Sequence, residues 1–200
     1  MKPYLRLKTV LDTGFALILT VILSPLLVLL AVLIKITSPG PVLFRQTRIG
    51  KDKKEFEIFK FRTMRTDTPK DMPTHLFTDA ERFITPVGRF LRKSSLDELP
   101  QLFNILRGEM SFIGPRPALW NQFDLIEARD QLNANSLWPG ITGWAQINGR
   151  DEIPIDRKAA YDGYYVEHVS LWLDLKILLL TFTTVLTAKG VSEGGPKKED

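Results

Sequence analysis

From Gly14 to Ile34 the chain reads GFALILTVILSPLLVLLAVLI, without a charged residue and with Ser24-Pro25 near its middle. As a helix with a 1.5 Å rise per residue, such a run is about 30 Å long, the hydrocarbon thickness of a bilayer. A cleaved signal peptide fits poorly, because the run is too long for an h-region and no small-residue cleavage site precedes Lys35. The segment is therefore expected to remain in the mature protein. Pro25 removes a backbone donor and strains the turn ending at Val21, so a kink is expected there, with the Val21 carbonyl short of a partner. In lipid an unpaired carbonyl costs several kcal/mol, and the Ser24 hydroxyl is placed to repair it. Basic residues flank both ends: Lys2, Arg6 and Lys8 before the run, Lys35, Arg45 and Arg48 after it. The positive-inside rule thus assigns both ends to the cytoplasm. A helix that enters, bends at Ser24-Pro25 and returns satisfies both flanks, whereas a Pro-kinked single span places one basic flank outside. Topology alone leaves the two about even.

Of the 200 residues, those outside this segment suffice for one soluble unit. The formal charge of +4 suits an anionic membrane surface or a polyanionic ligand. The absence of cysteine excludes disulfides, thiolate nucleophiles and Cys-ligated metals, and fits a cytoplasmic domain. With His75 and His168 the only histidines, a zinc site is disfavoured, and any metal should be a hard ion held by oxygen.

After the turn-rich TSPGP (37–41), VLFRQ and EFEIFKFR read as the strands of a small hairpin separated by TRIGKDKK, carrying Arg45, Lys60 and Arg62 on its faces. Residues 66–78 are polar, with two prolines, and read as a loop. In TPVGRFLRK, Thr85 is placed as a helix cap and Pro86 at the first helical position. A second helix through LPQLFNILRG would set Leu99, Leu102, Phe103 and Leu106 on one face, stopped by Gly108. No internal repeat is visible, and short helices around one hairpin argue against a Rossmann-like alternation. In the apolar stretch 170–190, the uncharged part, Ile177 to Ala188, is too short to span. With Trp172, Lys176 and Lys189 around it, this helix either lies in the headgroup plane or is buried in the core. The tail EGGPKKED is expected to be disordered.

The chemistry-bearing candidates cluster around SSLDELPQ. Ser95-Leu96-Asp97-Glu98 fits the S-x-x-E capping box, and acidic residues are favoured in a first helical turn. Pro100 conflicts with a helix begun at Ser95, so the helix boundary could lie later. A carboxylate at a helix start is also held ionised and positioned, as a nucleophile or a Mg²⁺ ligand must be. Capping and chemistry are compatible. Arg89, Arg92 and Lys93 precede the pair, and GPRP (114–117) and PGITGWAQINGR (139–150) follow it. Alone, Arg92 reads as a solvated helix residue and Arg116 as a surface turn. A proline-flanked arginine does, however, hold a guanidinium in one direction, suited to bidentate phosphate binding. No P-loop, GxGxxG or nucleophile-elbow motif competes with this reading.

KFRTM, GRFLRKSSLDELPQLFNILRGEMSFIGPRP, PGITGWAQINGR and YDGYYVEHVSLWLDLKIL, in that order, closely resemble the bacterial sugar transferases, also called monotopic phosphoglycosyl transferases. The resemblance runs from the membrane segment to about Gly190, and the chain resembles the minimal catalytic form of that family. It implies transfer of a sugar 1-phosphate from a UDP-sugar to a polyprenyl phosphate such as undecaprenyl phosphate, releasing UMP, on the cytoplasmic face of the bacterial inner membrane. It further implies that Asp97 attacks the sugar-bearing phosphorus to form a covalent phosphosugar ester, that Mg²⁺ is required, and that Asp97 and Glu98 would hold it. Arg92, Arg116 and Lys60 match positions expected to face phosphate oxygens, Asp162 matches a position of less defined role, and Ser24-Pro25 matches a helix break of the re-entrant kind.

The fold expected is thus mainly α with a small β-hairpin: a re-entrant membrane helix over 1–36, interfacial helices, a compact cytoplasmic catalytic domain over 37–190 and a tail over 191–200. The expected partners are the UDP-sugar, the polyprenyl phosphate and membrane lipid, with no nucleic acid. Two rival readings stand beside this one: a membrane-anchored module whose arginines hold anionic lipid, and a one-step transferase whose carboxylates only bind metal.

Overall fold

The computed structural model of the chain describes residues 3–68, 80–149 and 153–186. Its first element is a 35-residue helix, α1 (Pro3–Thr37), with Pro25 inside it. The Ser24 hydroxyl donates to the Val21 carbonyl at 2.8 Å, the repair that Pro25 calls for. No other helix among the described residues is long and apolar enough to cross a membrane. α1 is nevertheless docked on the rest of the chain along its length. Leu5 packs beside Tyr165 and Ile177, Ala16 meets Ile58, Leu102 and Ile105, and Leu27, Leu30 and Ile34 meet Phe61 and Leu91. Between residues 17 and 26 no residue is fully buried: Leu19, Leu23 and Leu26 pack partly against the core, while Val21 and Ile22 are exposed.

The hairpin forms as the alternation requires, but its strands reach further into the connection than VLFRQ. β1 (Leu43–Ile49) and β2 (Glu55–Phe61) pair antiparallel, Phe44 opposite Lys60 and Arg48 opposite Phe56. Thr85 caps α2 (Pro86–Lys93), its hydroxyl accepting from the Gly88 amide at 2.9 Å. A 3₁₀ turn, Leu96–Glu98, leads into α3 (Gln101–Leu106), so the helix does begin after Pro100. The face expected for α3 is partly wrong. Leu102 is buried with Ile105, Gln101 and Asn104, while Phe103 is 38% exposed. Asn104 is buried because its amide works as a strand partner: Oδ1 accepts from Phe59 N at 3.0 Å and Nδ2 donates to Glu57 O at 2.7 Å. Gly108 ends the segment at φ +72°, the left-handed conformation that glycine adopts without strain.

The sequence reading lacked the strands beyond the hairpin. β3 (Ser111–Ile113) pairs in parallel with β5 (Gly140–Thr142), and β4 (Ala118–Leu119) adds antiparallel to β1. Two or three residues per strand leave no periodicity to read. Helices α4 (Phe123–Gln131), α5 (Trp144–Ile147), α6 (Ile155–His168) and α7 (Leu171–Leu186) are the remaining α-helices among the described residues. The two readings of α7 divide its faces. Leu173 and Ile177 are buried in the core, whereas Leu171, Leu175, Leu179, Phe182 and Trp172, which is 78% exposed, face outward. Most of the loop read over 66–78, together with Lys2, Arg150, Lys189 and the tail, lies outside the described residues.

The amino-terminal end of α1 is held by a buried polar network. Lys8 Nζ lies 2.9 Å from Asp174 and 3.3 Å from Asp12, Tyr4 and Tyr165 donate to Asp174 at 2.7 and 2.6 Å, and Ser111 donates to Asp12 at 2.6 Å. Each buried carboxylate thereby has the partners that burial demands.

Candidate active site

β1, the end of β2 with the segment that follows it, and the end of α2 meet at one cavity of about 750 Å³. Arg45, Arg48, Lys60, Arg62, Arg65 and Arg92 line it together with Asp97. Asp97 reaches the wall because the chain turns sharply after α2. Ser95 adopts φ +55°, ψ +17°, a left-handed conformation that costs a non-glycine residue about 1–2 kcal/mol. Its side chain makes no cap hydrogen bond, so the S-x-x-E pattern does not close into a capping box.

The Glu98 carboxylate turns instead to two cations from distant parts of the chain. Its Oε1 accepts from Lys60 Nζ at 2.6 Å and from Arg116 Nη2 at 3.0 Å. Burial alone would raise the Glu98 carboxyl, but Lys60 and Arg116 outweigh it and hold the group well below the ordinary carboxylate range. Asp97 goes the other way. Burial raises it from 3.8 to about 6, Glu98 adds to the rise, and Lys60, Arg92 and Arg116 oppose it. Adjacent carboxyls are thus pushed apart, one fixed as an anion and one titrating near neutrality, which separates their chemical roles.

Of the sequence-predicted residues, Lys60, Arg92 and Asp97 line the cavity, and Glu98 and Arg116, which do not line it, join them through the contacts of Glu98 with Lys60 and Arg116. Arg92 is no solvated helix residue: its Nε donates to Thr63 Oγ1 at 3.0 Å and its Nη2 meets the Met64 sulfur at 3.3 Å. Arg62 is buried and braces the exit of α1, donating to the Ser38 and Pro39 carbonyls at 2.6 and 2.8 Å. Asp162 lies apart from the cavity lining, 1% exposed and paired to Arg129 with contacts of 2.8 and 2.6 Å. Ser24 and Pro25 lie on α1 and line no part of the cavity. Sequence reasoning missed Arg48 and Arg65 as lining residues. For Arg48 a signal existed: it sits two residues beyond Gln46 and four beyond Phe44, the residue opposite Lys60, hence on the Lys60 face of the hairpin.

The GPRP turn is set against PGITG by backbone alone. The Gly114 amide donates to Thr142 O and the Gly140 amide to Pro115 O, both at 2.9 Å. A Cβ at Gly114 would collide with the Trp138 carbonyl, and one at Gly140 with the Gly114 amide. Glycine is required here for close approach. A cation-lined cavity with an ionisable carboxylate at its wall can take an anionic ligand and attack it.

The two carboxylates also fit a magnesium ion of the kind that keeps several waters and takes further ligands from substrate phosphates. Glu98 Oε1 is committed to Lys60 and Arg116, so Asp97 and the other Glu98 oxygen would hold it. No group of three or more His, Asp or Glu residues suited to a metal occurs among the described residues.

Comparison with known proteins gives the family. The family described as bacterial sugar transferase matches residues 3–188. The chain belongs to the bacterial sugar transferases. Among its relatives, an uncharacterized sugar transferase of Bacillus subtilis, EpsL, is 41% identical over 94% of this chain and 91% of its own length. A UDP-glucose:undecaprenyl-phosphate glucose-1-phosphate transferase of Xanthomonas campestris is 43% identical over 91% of this chain and 39% of its own. A UDP-N-acetylgalactosamine-undecaprenyl-phosphate N-acetylgalactosaminephosphotransferase of Aeromonas hydrophila is 40% identical over 94% of this chain and 45% of its own. This bacterial sugar transferase therefore spans less than half the length of the latter two and nearly all of EpsL.

Proposed function

We propose that this protein transfers a sugar 1-phosphate from a UDP-sugar to undecaprenyl phosphate, or a related polyprenyl phosphate, as the first membrane step of bacterial glycoconjugate assembly. The observation that carries this is Asp97 at the wall of a cation-lined cavity of about 750 Å³, beside a Glu98 neutralised by Lys60 and Arg116. That volume falls in the range of small-molecule sites. The names of the Xanthomonas and Aeromonas relatives supply the donor and acceptor classes.

In this reading Arg92 and Arg116 take phosphate oxygens of the donor, and Lys60 holds Glu98 in place while facing the same charge. An Asp97 oxygen forms a bond to the sugar-bearing phosphorus, the bond from that phosphorus to the bridging oxygen breaks, and UMP departs with the electron pair. An oxygen of the polyprenyl phosphate then attacks the same phosphorus and frees Asp97 as a carboxylate, leaving a polyprenyl diphosphate sugar. Magnesium, held by Asp97 and Glu98, would supply charge neutralisation for the diphosphate.

Residues 1–36 are read as a re-entrant membrane helix and 37–190 as the catalytic domain on the cytoplasmic face of the inner membrane, with a tail beyond. Docking of α1 on the same domain at Leu5 and Lys8 and again at Leu30 and Ile34 supports this. A straight helix of that length is about 50 Å long and would carry one end across the bilayer. The exposed face of α1 around Val21, Ile22 and Pro25 is then the part that meets lipid, and the outward face of α7 lies at the interface.

The test is UMP release from UDP-glucose and UDP-N-acetylgalactosamine with Mg²⁺ and undecaprenyl phosphate, paired with intact-protein mass spectrometry on samples quenched without acceptor. A sugar-phosphate adduct on Asp97 is expected. Full turnover with no adduct at any quench time and an active Asp97→Asn variant would sink covalent catalysis.

A further inference from the structure

We infer that Arg129, anchored by Asp162, is a positioning residue that sets the direction of Arg116 toward Glu98. The inference rests on the reading of Arg116 as a phosphate-binding residue. Its basis is the GPRP turn, in which every residue is held. The Gly114 amide and the Pro115 carbonyl are bonded to the β5 segment. The Arg116 carbonyl accepts from Arg129 Nη1 at 2.9 Å, and the Pro117 carbonyl accepts from Arg48 Nη1 at 3.1 Å.

Prolines 115 and 117 fix φ on either side of Arg116 but supply no N–H, so the carbonyls are the handles by which this turn can be gripped. Arg129 is 3% exposed and spends Nε and Nη2 on Asp162, which is itself 1% exposed. The fork geometry of guanidinium lets one side of the group pair with a carboxylate while another N–H reaches a backbone oxygen. Lysine, with a single nitrogen, cannot span both. Burial raises the Asp162 carboxyl, and Arg129 and Lys158 oppose that rise. A buried ion pair is a poor source of net stability, and its cost is justified where it fixes a geometry. Here the fixed geometry is that of Arg116, whose backbone Arg129 holds and whose guanidinium meets Glu98 at 3.0 Å. Asp162, assigned no role by its place in the sequence, thus acts through two intervening residues, Arg129 and Arg116.

The experiment measures binding of UDP, with Mg²⁺, by isothermal titration calorimetry on the full chain in nanodiscs, for wild type, R116Q, R129K and R116Q/R129K. R116Q should weaken UDP binding at least about tenfold, the scale of a lost charge-assisted hydrogen bond. R129K should weaken it several-fold, and the double variant should be no weaker than R116Q alone, because Arg129 acts through Arg116. With whichever of UDP-glucose and UDP-N-acetylgalactosamine releases UMP, R129K should divide its loss between KM and kcat in the same proportion as R116Q; a folding defect lowers apparent kcat alone. If R129K fails to fold, the volume-matched R129M/D162L variant removes the pair without leaving a buried charge, and the same UDP loss is expected. Wild-type affinity in R129K, or losses that multiply in the double variant, would overturn the positioning role and leave the reading of Arg116 intact. Wild-type affinity in R116Q would overturn that reading and the positioning role with it.

Discussion

Asp97→Asn separates function from stability. Burial raises Asp97 from 3.8 to about 6, so its ionisation opposes folding. The sign follows from linkage: with the folded value above the unfolded one, stability contributed by the protonated group is complete below about pH 3.8 and is lost as pH rises through about 6. The gap between those values, at about 1.4 kcal/mol per tenfold, is worth up to about 3 kcal/mol at pH 7.5. Asparagine copies the neutral acid. With EDTA present, so that no metal favours the ionised form, Asp97→Asn should be the more stable protein at pH 7.5, by up to about 6–12 °C in Tm for a chain of this size. The advantage should shrink toward zero near pH 4. The assay is a thermal melt in detergent at steps of pH for both proteins, with UMP release measured alongside. Turnover should vanish in the variant, and wild-type turnover should fall as pH drops through the range in which Asp97 protonates. Equal melting temperatures at pH 7.5, or an advantage of the variant no larger there than at pH 4, would refute the idea that Asp97 is held against its charge.

Three further outcomes follow from the packing. Thr85→Ala should cost about 1 kcal/mol by losing the cap to Gly88, read by chemical denaturation, while Thr85→Ser should keep most of that stability. Lys8→Met, which strips the buried Asp174 and Asp12 of their cation, should cost about 3–5 kcal/mol; Lys53→Met, at the half-exposed pair with Asp130, should cost at most about 1 kcal/mol in the same melts. Single cysteines at Arg6 and Lys51, in this cysteine-free chain, should both be labelled only from the cytoplasmic side of sealed vesicles; protection of Arg6 until the periplasmic side is exposed would establish a spanning helix.

Local chemistry was legible in the sequence where one segment contains its own cause. Thr85 before Pro86 is a cap wherever it occurs, Gly108 can stop a helix alone, and the Ser24 hydroxyl lies within one turn of the carbonyl that Pro25 strands. The hairpin was visible because seven residues a side give alternation something to act on. The face of α3 was misread because helical spacing ranks Phe103 by hydrophobicity, whereas Asn104, a polar residue, is buried to complete the edge of β2. That preference comes from an unpaired strand edge 45 residues away, which no window along the chain contains. The parallel pairing of β3 with β5 was hidden for the same reason.

Asp97-Glu98 is the case in which local and distant causes compete. The tetrapeptide Ser95 to Glu98 meets every requirement of a capping box, yet Ser95 stands in the left-handed region and makes no cap bond. Two cations decide the matter, Lys60 from 38 residues before Glu98 and Arg116 from 18 residues after it. Charge-assisted hydrogen bonds to both are worth about 1.5–3 kcal/mol each, more than the roughly 1 kcal/mol of a cap, so the carboxylate leaves the backbone for the two cations. Once it has done so, its charge is neutralised from the far side and Asp97 is left as the group at the cavity wall whose charge burial opposes. The same displacement that defeats the capping pattern therefore separates the two carboxyls electrostatically, and a chain in which Lys60 and Arg116 were both neutral should recover the cap, lose the difference between Asp97 and Glu98, and lose turnover with it.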